Sequence, residues 1–205
     1  MGDEGVRDSP YHNAPVSKWA KITKRLLSRH PLSSQEIVDA VRSSWDAIFE
    51  SRIGQRDLVI GQDIFPEPQI MGFLLHELIP IELAARHPGE WRRCENSGEK
   101  DLVYIPDPRR SVEIKTSSHK QQIFSNRSFA QKPSKTKKDN DGYYLAVNFQ
   151  KFAKAHESRP DIRLIRFGWL DHSDWTGQDA PTGQQAKLRP EVELYKFLTL
   201  YKLPG

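Results

Sequence analysis

A chain of 205 residues, 37% hydrophobic and 28% charged, has the apolar content for one buried core and is too hydrophobic for a disordered chain. Its formal charge of +4 and pI near 9.1 are compatible with a nucleic-acid partner but do not require one. The single cysteine, Cys94, excludes an intramolecular disulfide and a multi-cysteine zinc site, and no apolar run is long enough to cross a bilayer. A reducing, prokaryotic-type cytoplasm is the expected location, with no secretory segment.

Residues 1–15 are polar, with Gly2, Gly5, Pro10 and Pro15, and are expected as a flexible arm ahead of one domain, 16–205. Within that domain, 16–68 reads as a mostly helical subregion and 69–205 as the chemical core. Val16 to Arg29 has Trp19, Ile22, Leu26 and Leu27 on one helical face and lysines on the other. Pro31 closes it. Ser33 with Glu36 is a capping-box signature, and Ile37, Val41, Trp45, Ile48 and Phe49 follow at helical spacing as far as about Gly54. After a short apolar piece, Leu58-Val59-Ile60, a third helix is expected from Gln69 to Arg86, with Ile70, Leu74, Leu78, Ile81 and Ala85 facing the core.

Asp101-Leu102-Val103-Tyr104-Ile105 reads as a short strand, and Ser111 to Ser118 as another. The turn residues Pro106-Asp107-Pro108 between them predict a hairpin. Alternation puts Glu113 and Lys115 on one face of the second strand, and hairpin pairing can bring Asp101 beside them. Two carboxylates and a lysine at one sheet end can hold a hard divalent cation and activate a water. The bland alternative is a solvated strand face on which Glu113 and Lys115 pair as surface charges. Tyr143 to Phe149 and Ile162 to Leu170 read as further strands. Asp171 to Leu188 reads as a long turn-rich loop, and Glu191 to Tyr201 as a terminal helix. Trp169 and Trp175 are expected to pack in the fold.

The order Asp101, then Glu113-Ile114-Lys115 on the next strand, resembles the PD-(D/E)xK nuclease superfamily, although Lys100 replaces the proline. Asn126-Arg127-Ser128-Phe129-Ala130-Gln131, Gly142 to Asn148 and Arg166 to Trp175 resemble small type II restriction endonucleases of the ScaI or HindVP type. The resemblance implies an α/β fold, a mixed sheet flanked by helices, with an N-terminal helical subregion. It implies Mg²⁺, with Mn²⁺ as a substitute, held by Asp101 and Glu113, and Lys115 orienting the attacking water or stabilising the pentavalent state electrostatically. A helix before the hairpin often adds another acid in this superfamily; Glu77 is the candidate, with a surface glutamate as the alternative and Glu82 as a weaker substitute. Sequence-specific cleavage of double-stranded DNA by a homodimer, beside a cognate methyltransferase, completes the expectation. The N-terminal helices are available as a dimer interface or simply as core. A structure-specific or repair nuclease, or a non-catalytic DNA-binding protein of the same fold, is the alternative.

DNA contacts are expected where polar residues leave the second hairpin strand: Ser117, Ser118, His119 and Lys120, then Asn126, Arg127 and Ser128. The strip Lys132, Lys135, Lys137 and Lys138 fits phosphate tracking, and Gln184 and Gln185 mark a second recognition element. Each of these has an ordinary solvated loop as its alternative. His76-Glu77 is not a zincin motif, because Pro80 occupies the second histidine's position. No Walker-type loop and no Gly-x-Ser-x-Gly elbow is present.

Overall fold

The computed structural model describes residues 9–131, 140–153, 159–179 and 183–204. Two helices open it, α1 (Val16–Leu27) and α2 (Ser34–Glu50). The Ser33 hydroxyl accepts the Glu36 N–H while the Glu36 carboxylate accepts the Ser33 N–H, so α2 starts at the expected capping box. All five apolar residues expected on its inner face are buried. Helix α2 stops at Glu50, earlier than expected, because a small hairpin follows: β1 (Arg52–Ile53) and β2 (Leu58–Val59), with Gly54 at positive φ in the turn.

Helix α3 (Pro68–Arg86) comes next, then β3 (Trp91–Arg93), β4 (Leu102–Tyr104), β5 (Val112–Ser117), β6 (Phe124–Asn126), β7 (Gly142–Phe149) and β8 (Ile162–Leu170). After these come β9 (Trp175–Gly177), β10 (Gln185–Leu188), the short helix α4 (Pro190–Tyr195) and β11 (Phe197–Lys202). The main sheet has the order β11-β8-β7-β5-β4-β3. It is mixed: β5 and β7 run parallel, and the other neighbours antiparallel.

The sheet separates two cores. Val112 and Ile114 of β5 with Tyr143, Leu145 and Val147 of β7 meet α2 and α3 on one face. Tyr144 and Ala146 pack on the other face with Ile123, Phe129, Trp175, Ala186 and Leu188. That second layer is the small sheet β6-β10-β9. The apolar faces of α1 and α2 therefore lie inside the fold, whereas α3 leaves Ile70, Phe73 and Ile81 exposed.

Four expectations are corrected here. The turn-rich stretch 171–188 is not one loop, because β9 and β10 pair within it and cover the sheet. The terminal helix ends at Tyr195, and its remainder is the edge strand β11. Apolar residues at 194, 195, 197, 198, 200 and 201 fit either period, and the open edge of β8 decides it. Gly168 permits the close approach at that edge: a Cβ there would lie 2.1 Å from the Lys196 carbonyl oxygen. The N-terminal segment is docked from Ser9 onward, with Tyr11 buried against Trp19 and Trp169 and its hydroxyl 2.8 Å from Thr23 Oγ1. Finally, α3 is turned about one position from its expected orientation. Met71, Gly72, Leu75, Ile79 and Leu83 face the core, while Ile70, Ile81 and Ala85 do not. The helix is apolar on nearly every side, so its period does not fix the face. Gly72 does, because its carbonyl accepts the Thr116 hydroxyl at 3.1 Å and any Cβ there would crowd Thr116.

Candidate active site

The hairpin β4–β5 is nearly split. Leu102 pairs with Val112, and β4 then parts from β5 toward its N-terminal side. The register puts Asp101 opposite Glu113, and the freed Ile114 N–H is taken by the Asp101 carboxylate, whose Oδ2 accepts it at 2.6 Å. A buried N–H at a strand separation needs such a partner, and this one fixes the Asp101 side chain. On β5, Lys115 Nζ lies 2.8 Å from Glu113 Oε1 and 4.3 Å from the centre of the Phe129 ring. Glu113 is 2% exposed and Asp101 7%. This is no solvated strand face, which removes the surface-pair alternative. Where a proline was looked for, the Lys100 chain packs over Gly142 and its Nζ stands 5.4 Å from the centre of the Tyr144 ring.

The rotation of α3 decides which of its side chains reaches this centre. His76 Nε2 lies 3.2 Å from Asp101 Oδ2. That hydrogen bond raises the His76 pKa above its ordinary value, against the lowering effect of burial. Glu77, next to it, lies 3.9 Å from His76 Nδ1, and its carboxylate meets Arg93 at 2.9 Å. Glu82 pairs with Arg86 on the same helix. Sequence reasoning did not single out His76, which touches Asp101 directly.

An open cleft of about 970 Å³ adjoins this centre, lined by Phe73, His76, Glu77, Thr116, His119 and Gln185 among others. Ser117 ends β5, and Ser118, His119 and Lys120 follow it toward solvent. Two distant stretches meet nearby. Asn126 pairs in register with Gln185, and the Arg127 N–H donates to the Gln184 carbonyl at 2.7 Å. Asn126, Arg127, Ser128, Gln184 and Gln185 are all exposed. The lysine strip 132–138 lies outside the described residues.

Among the described residues no three histidine, cysteine or acidic side chains form a ready metal cage. The donor set fits a cation that keeps most of its waters and takes one or two carboxylates, which is how Mg²⁺ is ordinarily bound.

A split hairpin with two buried acids and a lysine, on a mixed sheet flanked by helices, defines a nuclease of the restriction-endonuclease type. A sequence profile of the ScaI restriction endonuclease family matches residues 9–201. The chain is also 53% identical over 195 residues to the type II restriction enzyme ScaI of Streptomyces caespitosus, covering 95% of this chain and 85% of that protein. The chain belongs to the ScaI restriction endonuclease family, and its class is that of a site-specific deoxyribonuclease.

Proposed function

We propose that this protein hydrolyses double-stranded DNA at a short specific sequence in a Mg²⁺-dependent reaction, with Asp101, Glu113 and Lys115 as the catalytic residues. The observation that carries the reading is the gathering of these three where the hairpin separates, with an open cleft beside them lined by His76, which meets Asp101, and by Thr116, which follows Lys115 on the strand. Asp101 and Glu113 would hold Mg²⁺, or Mn²⁺ in its place. When bound, the cation supplies Lewis acidity, which lowers the pKa of water and offsets charge developing on the phosphate. Lys115 is held by Glu113 and Phe129, so its ammonium can orient the attacking water or face the developing negative charge. On α3, His76 meets Asp101 and would hold it in place, while Glu77, the further acid expected there, stands at the same cleft and pairs with Arg93.

Ser117, Ser118, His119 and Lys120 would meet the DNA nearest the scissile phosphate. Asn126, Arg127, Ser128, Gln184 and Gln185 form a second polar surface whose amide and guanidinium groups suit base edges. One site cuts one strand, so a symmetric target calls for a homodimer. A cognate methyltransferase and a cytoplasmic setting belong to the same reading; among the described residues no helix is long and apolar enough to cross a membrane.

Plasmid incubated with the protein and Mg²⁺ should give discrete bands, and sequencing their ends gives the target. Failure to cut with either Mg²⁺ or Mn²⁺, or a smear of fragments, would sink the reading.

A further inference from the structure

The loop 118–122 leaves β5 directly after the catalytic strand and returns to the core at the buried Ile123. His119, Lys120, Gln121 and Gln122 are all exposed along it. Its backbone is nevertheless held from beneath. Asn148, fully buried on β7 and in register with Ser117, donates its Nδ2 hydrogens to the His119 carbonyl at 3.0 Å and the Gln122 carbonyl at 2.9 Å. Arg166 on β8, 2% exposed, donates to the Gln121 carbonyl and, at 3.3 Å, to Asn148 Oδ1. Its other terminal nitrogen meets the Glu193 carboxylate.

The loop's own N–H groups are turned to its side chains. Ser117 Oγ accepts the His119 N–H at 3.1 Å, and His119 Nδ1 accepts the Gln121 and Gln122 N–H groups at 3.2 and 2.9 Å. With Nδ1 accepting, the neutral imidazole carries its proton on Nε2, a donor available to the cleft.

Such a bracket is an expensive way to stabilise a fold. Well-packed apolar residues often serve as well as a buried ion pair or better. Here, moreover, Arg166 Nε and Glu193 Oε1 have no hydrogen-bond partner among the described residues. What the bracket does provide is one fixed backbone path for four exposed polar side chains. It lies on the sheet face that carries Glu113 and Lys115, so the path is also fixed relative to the catalytic lysine.

We propose that Asn148 and Arg166, with Glu193 behind them, are positioning residues that hold 119–122 as a preformed sequence-reading loop in register with the catalytic strand. The proposal rests on the DNA-cleaving role given above. Preorganisation acts by removing the ordering cost of binding, and a loop that must order on the right bases discriminates less.

The test uses the full chain, Ca²⁺ in place of Mg²⁺, and two duplexes: the cleaved sequence and a scrambled one. Asn148→Ala should lower the ratio of their affinities about 10-fold, and amide exchange should accelerate at 119–122 while the rest of the sheet keeps its protection. Glu193→Gln, which keeps an acceptor but removes the charge that balances Arg166, should lower the ratio in the same direction and by less. If Asn148→Ala does not fold, Arg166→Lys carries the same expectation, because it keeps the charge and loses the fork. A ratio within twofold of the parent's in the folded variant, or equal loss on both duplexes, overturns the proposal. A parent that cuts no specific sequence overturns instead the function on which it rests.

Discussion

Among the described residues stand two clusters that share two aspartate or glutamate side chains and one lysine, and they are built to opposite ends. In the first, Asp171, Asp174 and Lys196 close on one another. Lys196 Nζ lies 2.7 Å from Asp171 and 2.8 Å from both oxygens of Asp174. Tyr11 and Trp19 roof the ammonium, their ring centres 4.2 and 4.7 Å away, and Ser9 donates to Asp171 at 2.9 Å. Burial raises the Asp174 pKa, with Lys196 opposing it. In the second, Lys115 pairs with Glu113 while Asp101 is held by a backbone N–H and by His76, which lines the neighbouring cleft. Composition does not make a reactive site. The first lysine joins its acids into a closed lock between the N-terminal segment and the sheet; the second leaves its acids on separate supports beside space for a substrate.

The comparison breaks most visibly if the two lysines are exchanged in role. Lys115→Ala should lower cleavage by on the order of 10³-fold even in its folded fraction, the scale of losing one preorganised electrostatic group, and should also cost stability, because the buried Glu113 loses its cation. Lys196→Ala should cost stability alone. Two buried carboxylates lose the lysine that joins them, with Arg189 left 3.5 Å from Asp174, which costs about 3–5 kcal/mol of stability, while the folded fraction cuts at the parental rate. Rate and denaturation curves on both variants check this, and a Lys115 variant that cuts normally removes the proposed centre.

Acid should act through a third place. His30 is packed among Trp91, Tyr143 and Phe167, accepts the Leu32 N–H on Nδ1 and lies 3.0 Å from the Arg110 carbonyl through Nε2. Burial lowers its pKa from 6.5 to about 4. The folded protein thus binds fewer protons than the unfolded chain between those values. His30 stabilises fully above about pH 6.5, and about 3 kcal/mol of that is lost as pH falls toward 4. Urea titrations at several pH values should show the slope, and a His30→Asn variant should lack it.

At the recognition surface, Asn126→Ala or Arg127→Ala should cost on the order of 1–3 kcal/mol of discrimination between cognate and scrambled duplexes, with little change in stability. Equal loss on both duplexes would make these residues backbone contacts. The smallest effects separate neighbours on α3. His76→Ala should shift the Mg²⁺ midpoint of cleavage by about 10-fold, as is usual when a group holding a metal ligand is removed. Glu77→Ala, which breaks an exposed pair with Arg93, should shift it by about twofold or less. A larger shift for Glu77 would restore it to the centre.

Much of this was legible in the sequence, and the gaps have physical causes. Strand alternation placed Glu113 and Lys115 on one face, and the turn after Ile105 placed Asp101 near them. The capping box at Ser33 and the strands around Tyr144 and Ile165 were readable because their periods are clean. Helix α3 was found but its facing was not, since apolar residues surround it, and the contact of His76 with Asp101 depends on that facing. The strands β9 and β10, three and four residues long, are too short to show a period among turn residues. Lys196 gave no signal, because nothing in a local sequence shows that a lysine will be enclosed by carboxylates from another segment. The capture of the 119–122 carbonyls was equally hidden, since it joins Asn148 and Arg166 across two strands.

The central claim, that the open cluster and not the closed one is the metal centre, is tested most directly by Mn²⁺ calorimetry on Asp101→Asn and Asp171→Asn, isosteric changes of one carboxylate in each. Asp101→Asn should lose the binding heat that the parent shows, and Asp171→Asn should keep it in its folded fraction. Unchanged Mn²⁺ binding in Asp101→Asn, or its loss in a folded Asp171→Asn, would contradict the account.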